Sequence, residues 1–150
     1  MAEKANIDEF LAGRKMAIAG VSRNPKKFGY MACKEIIQKG FAVYPINPAG
    51  GEILGLSAYP KLESLPEKQE NLLVLLPKIQ AYNVIKDAFR NGIKRIWLQQ
   101  GSESAEALEF CSKNGVTVIT GRCILMFIGS HKIPHRIHRW FSGVFGMLPK

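Results

Sequence analysis

KMAIAGVSRNPKKFG, residues 15–29, decides the fold. Its first part, KMAIAG (15–20), is an apolar run of strand length closed by a glycine, as expected of a strand covered on both faces. Its second part is a polar, basic turn, and from Phe28 a helical pattern runs to Lys39 before Gly40 stops it. Strand, glycine, polar loop and helix in that order open a βαβ unit.

The same alternation continues outward. FAVYPI (41–46), NLLVLL (71–76), KRIWL (94–98) and GVTVIT (115–120) read as further strands. A helix follows Pro77 and ends near Gly92, and another spans Ser102 to Asn114 with Gly115 behind it. Asn6 and Glu9 suggest a capping box for a short first helix ending at Gly13, and Pro134 to Gly146 suggests a last one. The pattern predicts an α/β, Rossmann-type, doubly wound parallel sheet of about five strands with helices on both faces and an extra C-terminal helix. The expected strand order is 3-2-1-4-5. The 150 residues form one domain, 1–150, on this reading.

Composition narrows the class. The chain is 47% hydrophobic and 22% charged, a globular balance. No apolar stretch reaches the roughly 20 residues of a membrane span. The start, MAEKANIDEF, lacks the basic and apolar regions of a secretory signal. Cys33, Cys111 and Cys123, odd in number and irregularly spaced, suggest a reducing compartment, so a cytoplasmic location is expected. The net charge of +9 favours a polyanionic or phosphorylated partner. No recognition helix or aromatic RNA-binding strand accompanies it, so no specific nucleic-acid partner is expected.

Parallel sheets bind ligands beyond the carboxyl ends of their strands. The loop after the first strand holds Gly20, Val21, Ser22, Arg23, Asn24, Lys26, Lys27, Phe28 and Gly29. A glycine turn, hydroxyl and amide groups, three cations and a helix N-terminus together suit a phosphate. The G-x-G-x-x-G fingerprint is absent, and neutral Asn47 stands where NAD sites carry an acid. NADP tolerates basic residues and stays open as an alternative, in an oxidoreductase or a redox sensor. Asn47 and Pro48, Leu76 and Pro77, and the amide-rich Leu98, Gln99, Gln100 and Gly101 occupy the next three loops.

No Ser/His/Asp or Cys/His order and no carboxylate pair appears, so no catalytic residue is assigned. His131, His135 and His138 lack an orienting carboxylate, so no metal site is assigned either. Ile137, Trp140, Phe141 and Val144 form an apolar stripe on the last helix. Docking on the domain or on a second copy, as in a homodimer, is preferred over an anionic membrane.

GVSRNPKKFGY, YPINPAGGEILGLSAYP, Pro77, WLQQGSESAEALEF and GRCILMF together resemble the stand-alone CoA-binding domain family, which is similar to the N-terminal domain of the succinyl-CoA synthetase α subunit. The likeness runs from about Met16 to Phe127. It implies that Gly20 to Ser22 and the basic residues up to Gly29 hold the phosphates of coenzyme A. Asn47 and Pro48 would line its channel, Leu76 and Pro77 would pack on adenine or pantetheine, and Leu98 to Gly101 would meet the pantetheine arm. Read from their own position after strand five, on the ligand-bearing side, Arg122 and Cys123 also count as candidate ligand residues; Cys123 is preferred as a small buried apolar residue, with a thiolate favoured by the Arg122 guanidinium as the alternative. Gly121 stands where many relatives carry an acid. A second domain with a phosphorylated histidine is not expected here, so the resemblance implies a non-catalytic module or sensor for CoA or acyl-CoA.

Overall fold

Short apolar runs become strands here because each is covered on both faces. A computed structural model describes residues 2–128. In chain order the elements are α1 (Ala2–Ala12), β1 (Lys15–Ala19), α2 (Phe28–Gln38), β2 (Ala42–Ile46), β3 (Glu52–Ile53), β4 (Leu56–Ser57), β5 (Asn71–Val74), α3 (Lys78–Arg90), β6 (Arg95–Leu98), α4 (Ala105–Lys113) and β7 (Thr117–Ile119). Short 3-10 turns cover Leu62–Ser64 and Ile124–Met126. The architecture is the expected Rossmann-like α/β fold.

The main sheet is ordered β2-β1-β5-β6-β7 with every neighbouring pair parallel. This corrects the expected 3-2-1-4-5 order. The third main strand, β5, pairs with β1 and not on the far side of β2. The chain between β2 and β5 forms the β3–β4 hairpin and a 3-10 turn where a crossover helix was needed. Reversing direction along a sheet at constant hand moves the connection to the other face. Accordingly α1 and α2 pack with Met16, Ile18 and Trp97, whereas Leu62, α3 and α4 pack with Ala17, Ala19 and Leu72.

The first helix also starts earlier than its capping signal suggests. Asn6 lies inside α1, which runs from Ala2. Tertiary contact fixes it. Phe10 packs edge-on against Trp97 with ring centroids 5.4 Å apart. Asn71 Nδ2 donates to the Phe10 carbonyl (3.0 Å), and Asn71 Oδ1 accepts from Arg95 Nε (2.7 Å). Each large side chain so buried contributes roughly 1.5–3 kcal/mol.

The terminal helix expected over 134–146, its apolar stripe, its dimer contact and the three histidines lie outside the described residues. Among the described residues no helix is long and apolar enough to cross a membrane.

Candidate ligand cleft at the switch point

With β1 between β2 and β5, the connections leaving these two neighbours, β1 to α2 and β5 to α3, run to opposite faces, and the switch point opens between β1 and β5. A cleft of about 420 Å³ lies there. Its head is the β1 loop, Gly20 to Ser22, beside Asn47 and Pro48 from the β2 loop. One wall is Pro60 to Leu62, and the other is Leu76 with Gln80, Val84 and Asp87 of α3.

The head is closely built. Gly20 has φ +100°, and a β-carbon on it would meet the Leu75 carbonyl oxygen at 2.5 Å. A β-carbon on Gly29 would come within 2.3 Å of the Gly20 oxygen. The first turn of α2 therefore rests on the β1 loop, as only glycine allows. Between these glycines the loop ties itself. Ser22 Oγ accepts from Asn24 N (3.0 Å), Asn24 Oδ1 from Lys26 N (2.9 Å) and the Asn24 carbonyl from Lys27 N (2.9 Å). Lys27 occupies the N-cap of α2 without a side-chain cap, and its carbonyl accepts from Met31 N (3.2 Å), so the positive end of the helix dipole faces the β1 loop.

Asn47 joins the two loops at the head. Its Nδ2 donates to the Val21 carbonyl (3.0 Å), and its Oδ1 accepts from Ala49 N (2.9 Å). Its main-chain N–H reaches the Tyr59 carbonyl (2.9 Å). The Arg23 guanidinium reaches back over Gly51, where a β-carbon would stand 2.6 Å from it. Arg23, Lys26 and Lys27 are exposed, and among the described residues none of them joins an ion pair.

The cleft thus gathers six residues singled out from sequence: Gly20, Val21, Ser22, Asn47, Pro48 and Leu76. Arg23, Asn24 and Lys27 flank its head. Phe28 and Gly29 are buried, Phe28 in the core on the α1–α2 face. Pro77 is exposed at the N-cap of α3. Leu98 and Gln99 are buried, and Gln99 Oε1 accepts from Ile124 N (3.2 Å). Gln100 and Gly101 are half-buried in the β6 loop, and Gly101 N donates to Glu103 (2.7 Å). None of these four lines the cleft. The β6 loop is fastened to the end of β5 by Ser102 Oγ, which donates to the Leu76 carbonyl (2.5 Å).

Arg122 and Cys123 lie outside the cleft lining. Arg122 forms a two-pronged pair with Glu3 of α1 (2.8 and 3.0 Å), and this holds the Glu3 carboxyl below its ordinary value. Burial pushes the Cys123 thiol up, while the Gln99 side chain and the backbone N–H groups of Leu125 and Met126 act the other way. Cys123 packs against the core, as its preferred reading had it, and the alternative of a thiolate beside Arg122 finds no support, because the guanidinium is spent on Glu3 and the thiol is half-buried. Burial pushes Cys33 up to about 12 and Cys111 to about 11. Among the described residues no group of three or more His, Cys, Asp or Glu could hold a metal.

Pro60, Lys61, Leu62, Gln80, Val84 and Asp87 were not anticipated from sequence. The last three repeat at i, i+4 and i+7, a helical stripe that carried a signal. Pro60 to Leu62 carried none, because they reach the cleft through the hairpin.

Residues 14–128 match the family model described as CoA binding domain. The chain belongs to this family. It is 26% identical over 129 residues to the alpha subunit of the ADP-forming acetate–CoA ligase II of Pyrococcus furiosus, a match covering 79% of this chain and 28% of the subunit. It is 29% identical over 122 residues to the YneT protein of Bacillus subtilis, covering 81% of this chain and 90% of that one. A conserved hypothetical protein of Pyrococcus furiosus superposes with a TM-score of 0.72 at 39% identity, over 75% of this chain and 97% of the other. The chain thus spans about a quarter of the ligase subunit and nearly the whole of YneT.

Proposed function

We propose that this CoA-binding-family domain binds coenzyme A or an acyl-CoA in the switch-point cleft and acts as a binding module or sensor without chemistry of its own. The observation that carries this is the pre-built head of the cleft. Backbone-shaped Gly20 to Ser22, the start of α2 with no side-chain cap, and Arg23, Lys26 and Lys27, which join no ion pair among the described residues, lie together where a pyrophosphate would sit. Coenzyme A fits the rest of the cleft as well. Its adenine and pantetheine need apolar walls, and Ile46, Pro48, Pro60, Leu62, Leu76 and Val84 supply them.

The family match and the likeness to acetate–CoA ligase subunits support the ligand. A cytoplasmic setting accords with three cysteines that are all unpaired.

Isothermal calorimetry tests the reading. Coenzyme A should bind, and Lys27→Ala should weaken it about tenfold or more, since a charge-assisted contact is worth about 1.5–3 kcal/mol. Equal affinity for NADPH and coenzyme A would refute the choice of ligand. Turnover of an acyl-CoA by the purified chain would refute the binding-only role.

A further inference from the structure

The charge on the cleft walls points to a second phosphate. Of the described residues lining the cleft, Lys61 and Asp87 alone are charged. Asp87 is paired with Arg90 one turn along α3. Lys61 joins no ion pair among the described residues, so the wall presents one uncompensated positive charge.

The main chain that carries Lys61 is held on both sides. Tyr59, two residues before it, is bridged to Ile46 at the end of β2 and donates to the Pro45 carbonyl (2.8 Å). Tyr59 also accepts from Asn47 N (2.9 Å), which fixes the segment to the head of the cleft. The Lys61 carbonyl itself accepts from Ser64 N (3.0 Å) and so starts the 3-10 turn. Lys61 is thus carried by a wall of the cleft, on a segment separate from the loop that carries Arg23, Lys26 and Lys27.

A ligand with a single pyrophosphate has a use for the head alone. Two separate positive zones suit a nucleotide that also carries a phosphomonoester on its ribose. We propose that Lys61 is a specificity-determining residue that binds this ribose phosphate, the 3′-phosphate of coenzyme A. The assignment rests on the ligand reading above. NADP carries the same group at the ribose 2′ position, so the experiment separates the two sources.

Calorimetry with coenzyme A, dephospho-CoA, NADP and NAD is run on the wild type, Lys61→Ala and Lys61→Arg. Wild type should bind coenzyme A about tenfold or more tightly than dephospho-CoA. Lys61→Ala should erase that gap by weakening coenzyme A alone, and Lys61→Arg should keep most of it. If Lys61→Ala weakens coenzyme A and dephospho-CoA alike, or leaves the gap intact, the role of Lys61 is overturned while the coenzyme A reading stands. If the gap appears between NADP and NAD with NADP the tighter ligand, Lys61 keeps its role and the coenzyme A reading falls. If the wild type binds none of the four, both fall.

Discussion

The loop that leaves β1 and the loop that leaves β7 each place an arginine near the carboxyl edge of the sheet, and the chain uses the two cations in opposite ways. Arg23 reaches over Gly51 beside the cleft and joins no ion pair among the described residues. Arg122 is gripped by Glu3, a residue 119 positions away, and helps fasten α1 to the end of the sheet. Their glycines differ in the same sense. Gly20 is pressed against the Leu75 backbone, whereas Gly121, at φ +71°, has nothing within 4 Å of its would-be β-carbon. A basic residue at a ligand-bearing edge counts toward binding only when no carboxylate has already claimed it. Otherwise it is a fastener.

Backbone substitution should break this contrast most visibly. Gly29→Ala puts a β-carbon 2.3 Å from a carbonyl oxygen that has no flexible end to move aside. We expect a loss of about 3 kcal/mol or more by urea unfolding. Gly121→Ala meets only the strain of its left-handed backbone, about 1–2 kcal/mol. Equal losses would mean that the two loops are equally packed.

Next in size is Asn47→Asp. The acceptor of Ala49 N survives, but the donor to the Val21 carbonyl is lost and two oxygens face each other. A lost bond of this kind costs about 1–3 kcal/mol. The amides of Ser22 to Lys27 should exchange faster with solvent, and those of the β7 loop should not. Unaltered exchange in the β1 loop would show that Asn47 does not hold it.

These contrasts mark how far the sequence could be read. The apolar runs around Ile18, Leu73 and Trp97 announced their strands, since burial on both faces leaves a continuous hydrophobic signature. Strand order was not legible. The stretch from Asn47 to Glu70 shows turn formers, and nothing in it states toward which edge the chain returns. At the site, the β1 loop declared itself because its glycines, amides and cations are contiguous. Lys61 did not, because tertiary folding alone brings it into the same cleft as Gly20. The Arg122–Glu3 pair is equally silent, since no periodicity links residues at opposite ends of the domain.

Smaller effects follow from titration. The Cys33 thiol has a folded value above its unfolded one, so its contribution to stability is whole below about pH 9 and is lost as pH rises toward about 12. Cys33→Ala should flatten that alkaline decline in unfolding midpoints. A decline as steep as wild type would assign it to other groups. Glu3 has the opposite sign. Its lowered value makes its contribution whole above the ordinary carboxylate range and lost as pH falls through the depressed value. Both partners of the pair are half-exposed, so the change on Glu3→Gln should be slight and should shrink further in salt.

The contact of α2 on the Gly20 carbonyl has a kinetic consequence. A loop completed by the fold itself requires no ordering step when a ligand arrives. Capture should then be a single diffusional encounter, hastened by Arg23, Lys26 and Lys27 acting at a distance on an approaching polyanion. In stopped-flow mixing the observed rate should rise linearly with ligand concentration and reach no plateau. Added salt should slow arrival far more than departure.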